Sequence, residues 1–183
     1  MNLEMTLVGG PTFVISLGGQ RILIDPCFDP PQTYTGKGTE GTNGMTKTVG
    51  PAFSIEELSP IDIVLITHDH HIDHLDYAGA EIIRGVEHVY TTVEGAERLG
   101  DGVVGLGKFA TSTLPRPDGG TLTITGVPAQ HGPDPIWKLA GPCNGFILEG
   151  DGLPKIYISG DNSSVDVAKE IVDHVGPVDV AFM

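Results

Sequence analysis

The sequence predicts an α/β (α+β) fold in which two β-sheets pack face to face and helices flank them. Three observations favour this class. The chain opens with an all-strand stretch broken by the turn pairs Gly9-Gly10 and Gly18-Gly19. Strand and helix patterns then alternate along the rest of the chain. In the helix predicted at 164–175, apolar residues recur at three- and four-residue spacing, which indicates one buried face formed by Val165, Ala168, Val172 and Val175.

Strands are predicted where apolar and β-branched residues run between turn signals, and helices where a polar cap precedes a periodic pattern. Ser54, Thr92 and Ser163 are the predicted N-caps, because their side-chain oxygens can accept hydrogen bonds from the first turn. In chain order the predicted elements are strands 3–8, 12–17 and 20–25, helix 54–58, strand 61–67, helix 75–84, strand 86–91, helix 93–99, strands 103–107, 121–126, 143–148 and 155–159, helix 164–175 and strand 178–182.

The long stretch 26–53 is rich in Gly, Pro and Thr and shows almost no apolar periodicity. A segment of this length inside a compact domain is more often functional than inert, and we interpret it as a flap that covers the substrate. Its Gly36-Lys37-Gly38-Thr39 resembles a fragment of a phosphate-binding loop. The full spacing is absent and no strand leads into it, so the match is interpreted as a coincidence.

Length and composition narrow the function. The 183 residues predict one domain, 1–183. No apolar run reaches the roughly 20 residues of a membrane helix, and the N-terminus lacks the pattern of a signal peptide, so we expect a cytoplasmic protein with no membrane partner. The formal net charge is −14 and Lys and Arg number ten. Binding of nucleic acid needs cationic side chains, so the expected partner is a small molecule and not a nucleic acid.

The candidate functional motif is Thr67-His68-Asp69-His70-His71-Ile72-Asp73-His74, which directly follows the apolar run 61–66. Four of the seven histidines fall within these residues, where a buried strand ends and the chain is free to turn. Neutral imidazole and carboxylate suit zinc and related divalent metals. Burying four histidines without a common partner would be unfavourable. The motif therefore predicts a metal site and a metal-activated water.

The motif also resembles the signature of the metallo-β-lactamase superfamily, in which His-x-His-x-Asp-His follows a strand ending in Thr-His. Further segments resemble the same family in the right order, namely the opening hairpins at 5–15 and 21–26, the stretch 128–132, and the stretch 156–161. Together they cover nearly the whole chain. Among the branches of this family, the sequence most resembles the small metal-dependent hydrolases that include the ascorbate-phosphate lactonases. The resemblance implies an αββα sandwich of two mixed sheets flanked by helices.

The resemblance further implies a site for two divalent cations, most simply zinc, with manganese or iron as alternatives. One cation would be held by three histidines and the other by an Asp-His pair, with one aspartate bridging. In that order, the implied ligands are His68, His70 and His131, then Asp73 and His74, then Asp161. Several of these residues lie at or just past the end of a predicted strand, where loops can build a site on a rigid scaffold.

Two departures from the family pattern leave alternatives open. The family places one residue between the second His and the Asp, whereas two residues separate His70 from Asp73. Counting from the strand end makes His70 the second ligand, which we prefer, and counting back from Asp73 makes it His71. The family also usually supplies a last His beyond the final strand, and this chain stops at Met183. We expect either a missing C-terminal end or a second metal with fewer protein ligands, and a free strand edge there would favour a homo-oligomer.

The implied function is that of a metal-dependent hydrolase. A bound Zn²⁺ lowers the pKa of water to about 7, and the hydroxide would attack a small ester, lactone or phosphodiester. Asp73 is the predicted catalytic residue, because it would orient the nucleophile and accept its proton. No Gly-x-Ser-x-Gly elbow is present to support a serine mechanism. Two alternatives remain, a metal-binding protein of the same fold without catalysis and a di-iron redox protein.

Overall fold

The structure, a computed structural model, describes residues 3–35, 44–135 and 137–183. Strands and helices alternate along these residues largely as predicted. In chain order they are β1 (Glu4–Gly9), β2 (Thr12–Leu17), β3 (Gln20–Ile24), β4 (Gln32–Thr33), β5 (Thr46–Lys47), α1 (Ile55–Leu58), β6 (Ile63–Leu65), α2 (Tyr77–Ile82) with a 3₁₀ turn (Ile83–Gly85), β7 (His88–Thr91), α3 (Val93–Leu99), β8 (Val103–Gly105), β9 (Thr111–Pro115), β10 (Thr121–Ala129), α4 (Trp137–Ala140), β11 (Cys143–Glu149), β12 (Ile156–Ile158), α5 (Val165–Val175) and β13 (Val180–Phe182).

The strands form two mixed sheets and one small hairpin. The first sheet has the order β1-β2-β3-β6-β7-β8, in which the opening strands pair antiparallel and β3, β6, β7 and β8 run parallel. The second has the order β13-β12-β11-β10-β9 and is antiparallel except for the parallel pair β12–β13. The hairpin β4–β5 lies within the stretch predicted as a flap. Strand β9 was not among the predicted elements.

Three apolar clusters hold the layers together. The central one joins the facing sides of the two sheets, for example Ile24 and Leu65 of the first sheet with Phe146 of the second, all 0% exposed. A second cluster lies between the outer side of the first sheet and helices α1 to α3. A third lies between the second sheet and α5. The order helix, sheet, sheet, helix confirms the predicted αββα sandwich.

The two sheets meet at the edge where the site-bearing loops emerge. The histidine-rich loop follows β6 in the first sheet. In the second sheet, β10 and β12 both pair antiparallel with β11 and therefore run in the same direction, so His131 and Asp161 follow their ends at one edge. The amide of Asn144 donates to the carbonyl of Thr67 at 2.9 Å and joins the two sheets there. His131 and Asn162 form an isolated bridge that joins the two later loops.

Helix α5 corrects two sequence-based expectations. Its N-cap is Ser164, whose side chain accepts from the amide of Val167, and not Ser163. The buried face is formed by Ile171 together with Val167 and Val175. Val165 and Val172 are 70% and 46% exposed, so the predicted apolar face is wrong at these two residues, whereas Val175 packs as predicted. The helix begins one residue later than predicted and packs on the sheet through its bulkiest apolar side chain.

The described part of the predicted flap is anchored to the body of the protein. Lys47 of β5 donates to the carbonyl oxygen of Cys27 and to Oδ2 of Asp76. Tyr34 is buried and donates its hydroxyl to Asp29. The Gly36-Lys37-Gly38-Thr39 fragment lies outside the described residues. None of the helices in the described parts of the chain is long and apolar enough to cross a bilayer.

Candidate metal centre

Three histidines converge at the end of β6. Nε2 of His68 lies 3.0 Å from Nδ1 of His71, and Nε2 of His131 lies 3.2 Å from the same nitrogen. Each ring offers one nitrogen, and these atoms all lie within 4.8 Å of one another. We call this set the three-histidine group. Nitrogens this close together can bind one divalent cation.

A second set lies directly beside it. Nε2 of His74 is 3.3 Å from Oδ1 of Asp161 and 4.0 Å from Oδ2 of Asp73. We call these residues the Asp-His group. The other oxygen of Asp161, Oδ2, is 3.1 Å from Nε2 of His131 in the three-histidine group. The Asp161 carboxylate therefore turns one oxygen to each group, which is the arrangement that a bridging ligand requires.

The geometry places His71, and not His70, in the three-histidine group. The geometry therefore favours the alternative assignment, His71, over the preferred His70. Nε2 of His70 points away from the group and donates to the carbonyl oxygen of Ala140 at 2.6 Å. The other predicted ligands, His68, Asp73, His74, His131 and Asp161, lie in the two groups.

Asp25 orients His74 from behind. Its Oδ2 accepts from Nδ1 of His74 at 2.9 Å, which leaves Nε2 facing the Asp-His group. Its two oxygens also accept from the amide and the hydroxyl of Thr67 at 2.7 and 2.9 Å. Burial alone would lower the pKa of His74, but the carboxylates of Asp25 and Asp161 raise it to about 10. These carboxylates favour positive charge at this position, and a cation would benefit in the same way.

The electrostatics and unused atoms of the site fit a divalent cation. Burial, followed by the neighbouring histidines, holds the pKa of His68 well below its ordinary value, and the pKa of His71 is lowered for the same reasons. Both rings are therefore neutral at pH 7, the state in which imidazole binds metal. Oδ1 of Asp73 is buried and finds no hydrogen-bond partner among the described residues. A buried carboxylate oxygen without a partner is costly unless a ligand satisfies it.

Sequence reasoning missed several supporting contacts. Sγ of Cys143 lies 3.5 Å from Nδ1 of His68. The side-chain oxygen of Asn162 accepts from the amide of Gln130, next to His131. The hydroxyl of Ser163, predicted as a helix cap, instead accepts from the amide of Gly132 and donates to the carbonyl of Gln130. The sequence carries no signal for these long-range pairs, because each joins loops that meet only in the folded chain.

A cavity of about 710 Å³ opens beside Asp73. Its other walls come from the turn between β1 and β2 and from residues 45–52, and they are mostly apolar. Among the described residues of its wall, Asp73 and Lys47 carry charge. The Lys47 ammonium is 3.1 Å from the Cys27 carbonyl oxygen and 3.0 Å from Oδ2 of Asp76, so its charge is paired within the protein. The cavity is therefore an apolar space that reaches the Asp-His group.

A two-sheet sandwich with histidines and aspartates gathered at its strand ends is the architecture of the metallo-β-lactamase superfamily. The chain belongs to this superfamily, because the family model described as a beta-lactamase superfamily domain matches residues 20–183. The predicted superfamily and fold are thereby confirmed.

Individual relatives agree with this placement. The N-acyl-phosphatidylethanolamine-hydrolyzing phospholipase D 1 of Caenorhabditis elegans is 24% identical over 202 residues, which cover 98% of this chain and 52% of that protein. The chain thus spans about half the length of this curated relative. A possible metal-dependent hydrolase from Veillonella parvula DSM 2008 matches with a TM-score of 0.77 and 22% identity, over 100% of this chain and 71% of the other. An isothiocyanate hydrolase from Delia radicum gut bacteria matches with a TM-score of 0.73 and 24% identity, over 94% and 68%.

Proposed function

We propose that the protein hydrolyses a small ester, lactone or phosphodiester at a site of two divalent cations, most simply zinc. The observation that carries the proposal is the Asp161 carboxylate, which turns one oxygen toward His131 and the other toward His74. Two cation positions that share a carboxylate are close enough to act on one substrate bond. Bound there, a divalent cation lowers the pKa of a water ligand toward neutrality and polarises the substrate oxygen.

The chain's own residues have separate tasks in this proposal. His68, His71 and His131 would hold one cation, and His74 with Asp73 would hold the other, with Asp161 between them. The unpartnered Oδ1 of Asp73 is the atom that would orient the nucleophile and accept its proton. Asp25 would keep His74 in the tautomer whose Nε2 is available.

The cavity supports a substrate with an apolar part. Its walls are mostly apolar and its one cationic side chain among the described residues, Lys47, is already paired, so an uncharged group gains most by entering. The relative from Caenorhabditis elegans is named for hydrolysis of a phospholipid, which agrees with a phosphodiester that carries apolar groups. The net charge of −14 favours a small molecule over nucleic acid.

The test combines metal content with hydrolysis by matched variants. The protein, loaded with zinc and desalted, is assayed with p-nitrophenyl butyrate, bis(p-nitrophenyl) phosphate and a short-chain lactone. Asp73→Asn should lower kcat/KM at least about 100-fold while the circular dichroism melt is retained. Asp166→Asn, which changes an aspartate on the exposed side of α5, should leave kcat/KM unchanged.

Three outcomes would count against the proposal. Undiminished hydrolysis by the Asp73→Asn variant would mean that the Asp-His group is not the reacting centre. Two zinc ions bound with no hydrolysis of any of the three substrates would favour the metal-binding protein without catalysis. Iron in place of zinc, with visible absorption, would favour the redox alternative.

A further inference from the structure

His70 makes contacts that its neighbours in the motif do not make. It lies in the stretch that holds one residue more than the family spacing, and its ring turns away from the three-histidine group. Nε2 donates to the carbonyl oxygen of Ala140, and the ring packs against Gly141, where a Cβ atom would lie 2.6 Å from Nε2. Residue 141 has a φ of +85°, which favours glycine, so this position accommodates the His70 ring closely.

On the other side of the ring, Nδ1 of His70 is buried and has no hydrogen-bond partner among the described residues. The adjacent carboxylate of Asp69 is 5% exposed and accepts two hydrogen bonds from Arg98 of α3, at 2.6 and 2.8 Å. Oδ1 of Asp69 lies 3.9 Å from Nδ1 of His70. Arg98 and Asp69 therefore fix the backbone from which the His70 ring projects toward Ala140.

The segment that His70 contacts begins and ends at the metal centre. It leaves the site at His131, passes through α4, and returns at Cys143, whose sulfur lies 3.5 Å from Nδ1 of His68. The beginning is held separately, since the Gly132 amide donates to Ser163. The hydrogen bond from His70 holds the returning end, at Ala140.

We propose that His70 is a positioning residue that holds the segment 137–141 against the metal centre and is not itself a metal ligand. The extra residue of the motif gives the chain a fourth histidine that links the loop after β6 to the loop before β11. His71 takes the ligand position, and His70 keeps the neighbouring wall of the site in place.

The test uses two substitutions of matched polarity. His70→Gln places an amide group near the position of Nε2 and can still donate to Ala140, whereas the shorter amide of His70→Asn cannot reach it. Each variant is digested with trypsin under native conditions, and mass spectrometry follows cleavage after Lys138, which lies in α4 close to Ala140. Cleavage after Lys169 in α5, on the other side of the protein, is the internal reference.

Loss of the hydrogen bond should raise the rate of cleavage after Lys138 about tenfold in His70→Asn, equivalent to ~1.4 kcal/mol, because cleavage follows the population of the opened segment. The rate should stay near that of the unmodified protein in His70→Gln. Cleavage after Lys169 should be the same in all three proteins. An unchanged rate after Lys138 in His70→Asn would overturn the proposal.

Zinc content separates positioning from ligation. After loading and desalting, His70→Asn should keep the zinc content of the unmodified protein, whereas His71→Leu should lose the ion of the three-histidine group. Equal loss in the two variants would make His70 a ligand and overturn the proposal.

Kinetics supply one readout that rests on the proposed function. If the wall positions substrate, His70→Asn should raise KM while kcat is kept, and His70→Gln should restore KM. Failure of all proteins to hydrolyse any substrate would refute the proposed function and leave the proteolysis and zinc results to decide the role of His70. A fall in kcat at constant KM would contradict the positioning role.

Discussion

Replacement of Asp25 by asparagine should weaken the second cation position without unfolding the protein. Asp25 is 2% exposed and accepts from Nδ1 of His74, the ring nitrogen that does not face the Asp-His group. An asparagine oxygen can still accept from the Thr67 amide. Its NH₂ group, however, would donate to Nδ1 of His74, so the ring would carry its proton on Nε2, where the cation should bind.

The expected size follows from the contacts. The hydrogen bond from His74 to Asp25 is 2.9 Å long and involves a buried carboxylate, and bonds to charged groups contribute about 1.5–3 kcal/mol. At ~1.4 kcal/mol for each factor of ten, the Kd for the second zinc should rise about 10- to 100-fold. The same range is typical when the hydrogen-bond partner of a ligating histidine is changed.

Zinc titration at pH 7 in competition with a chromophoric chelator measures this effect. Asp29→Asn is the matched control, because Asp29 is also buried and accepts from the amides of Tyr77 and Ala78, away from the metal centre. The control should lose stability in urea but keep both zinc affinities. Two zinc ions bound to Asp25→Asn with unchanged Kd values would refute the argument that Asp25 sets the tautomer of His74.

Two further substitutions test the packing and charge around the site. Gly79→Ala should lower the free energy of unfolding by about 3 kcal/mol, because a Cβ there would lie 1.9 Å from the carbonyl oxygen of Pro26. The control Gly85→Ala, whose Cβ meets open space in the described structure, should change the free energy of unfolding by less than ~1 kcal/mol. Urea unfolding measures both variants, and equal effects would contradict the contact between Gly79 and Pro26. Arg98→Met should cost about 2 kcal/mol at pH 7, because it removes the partner of the buried Asp69 carboxylate. Burial raises the pKa of Asp69, but the hydrogen bonds from Arg98 outweigh it and hold the pKa well below the ordinary 3.8. The stabilisation from the Asp69–Arg98 pair is therefore present above pH ~4 and is lost as the pH falls further. In urea titrations, the difference in free energy of unfolding between Arg98→Met and the unmodified protein should shrink between pH 7 and pH 3. A constant difference would contradict the pairing.

The layered fold followed largely from local pattern, although β9 and the cap of α5 were not predicted correctly. The capping box of Ser54 and Glu57 and the cap of Thr92 on α3 are contacts within one turn, which sequence spacing encodes directly. The predicted buried face of α5 was partly wrong, because local spacing does not determine which apolar side chains meet the sheet. Ile171, and not Val165, packs on the second sheet, and its contacts there are with residues distant in sequence.

The choice between His70 and His71 shows why sequence spacing can indicate a site and still leave one of its residues open. His68 is fixed by the end of β6, and the downstream end is fixed by Asp76, which caps α2 and accepts from the amides of Phe28 and Asp29. With both ends held, the extra residue must be accommodated between them. Residue spacing alone does not determine whether the His70 or the His71 ring turns away from the group. The energies of these two arrangements depend on hydrogen-bond partners elsewhere in the chain. The carbonyl of Ala140 provides such a partner for His70, and it lies 70 residues further along.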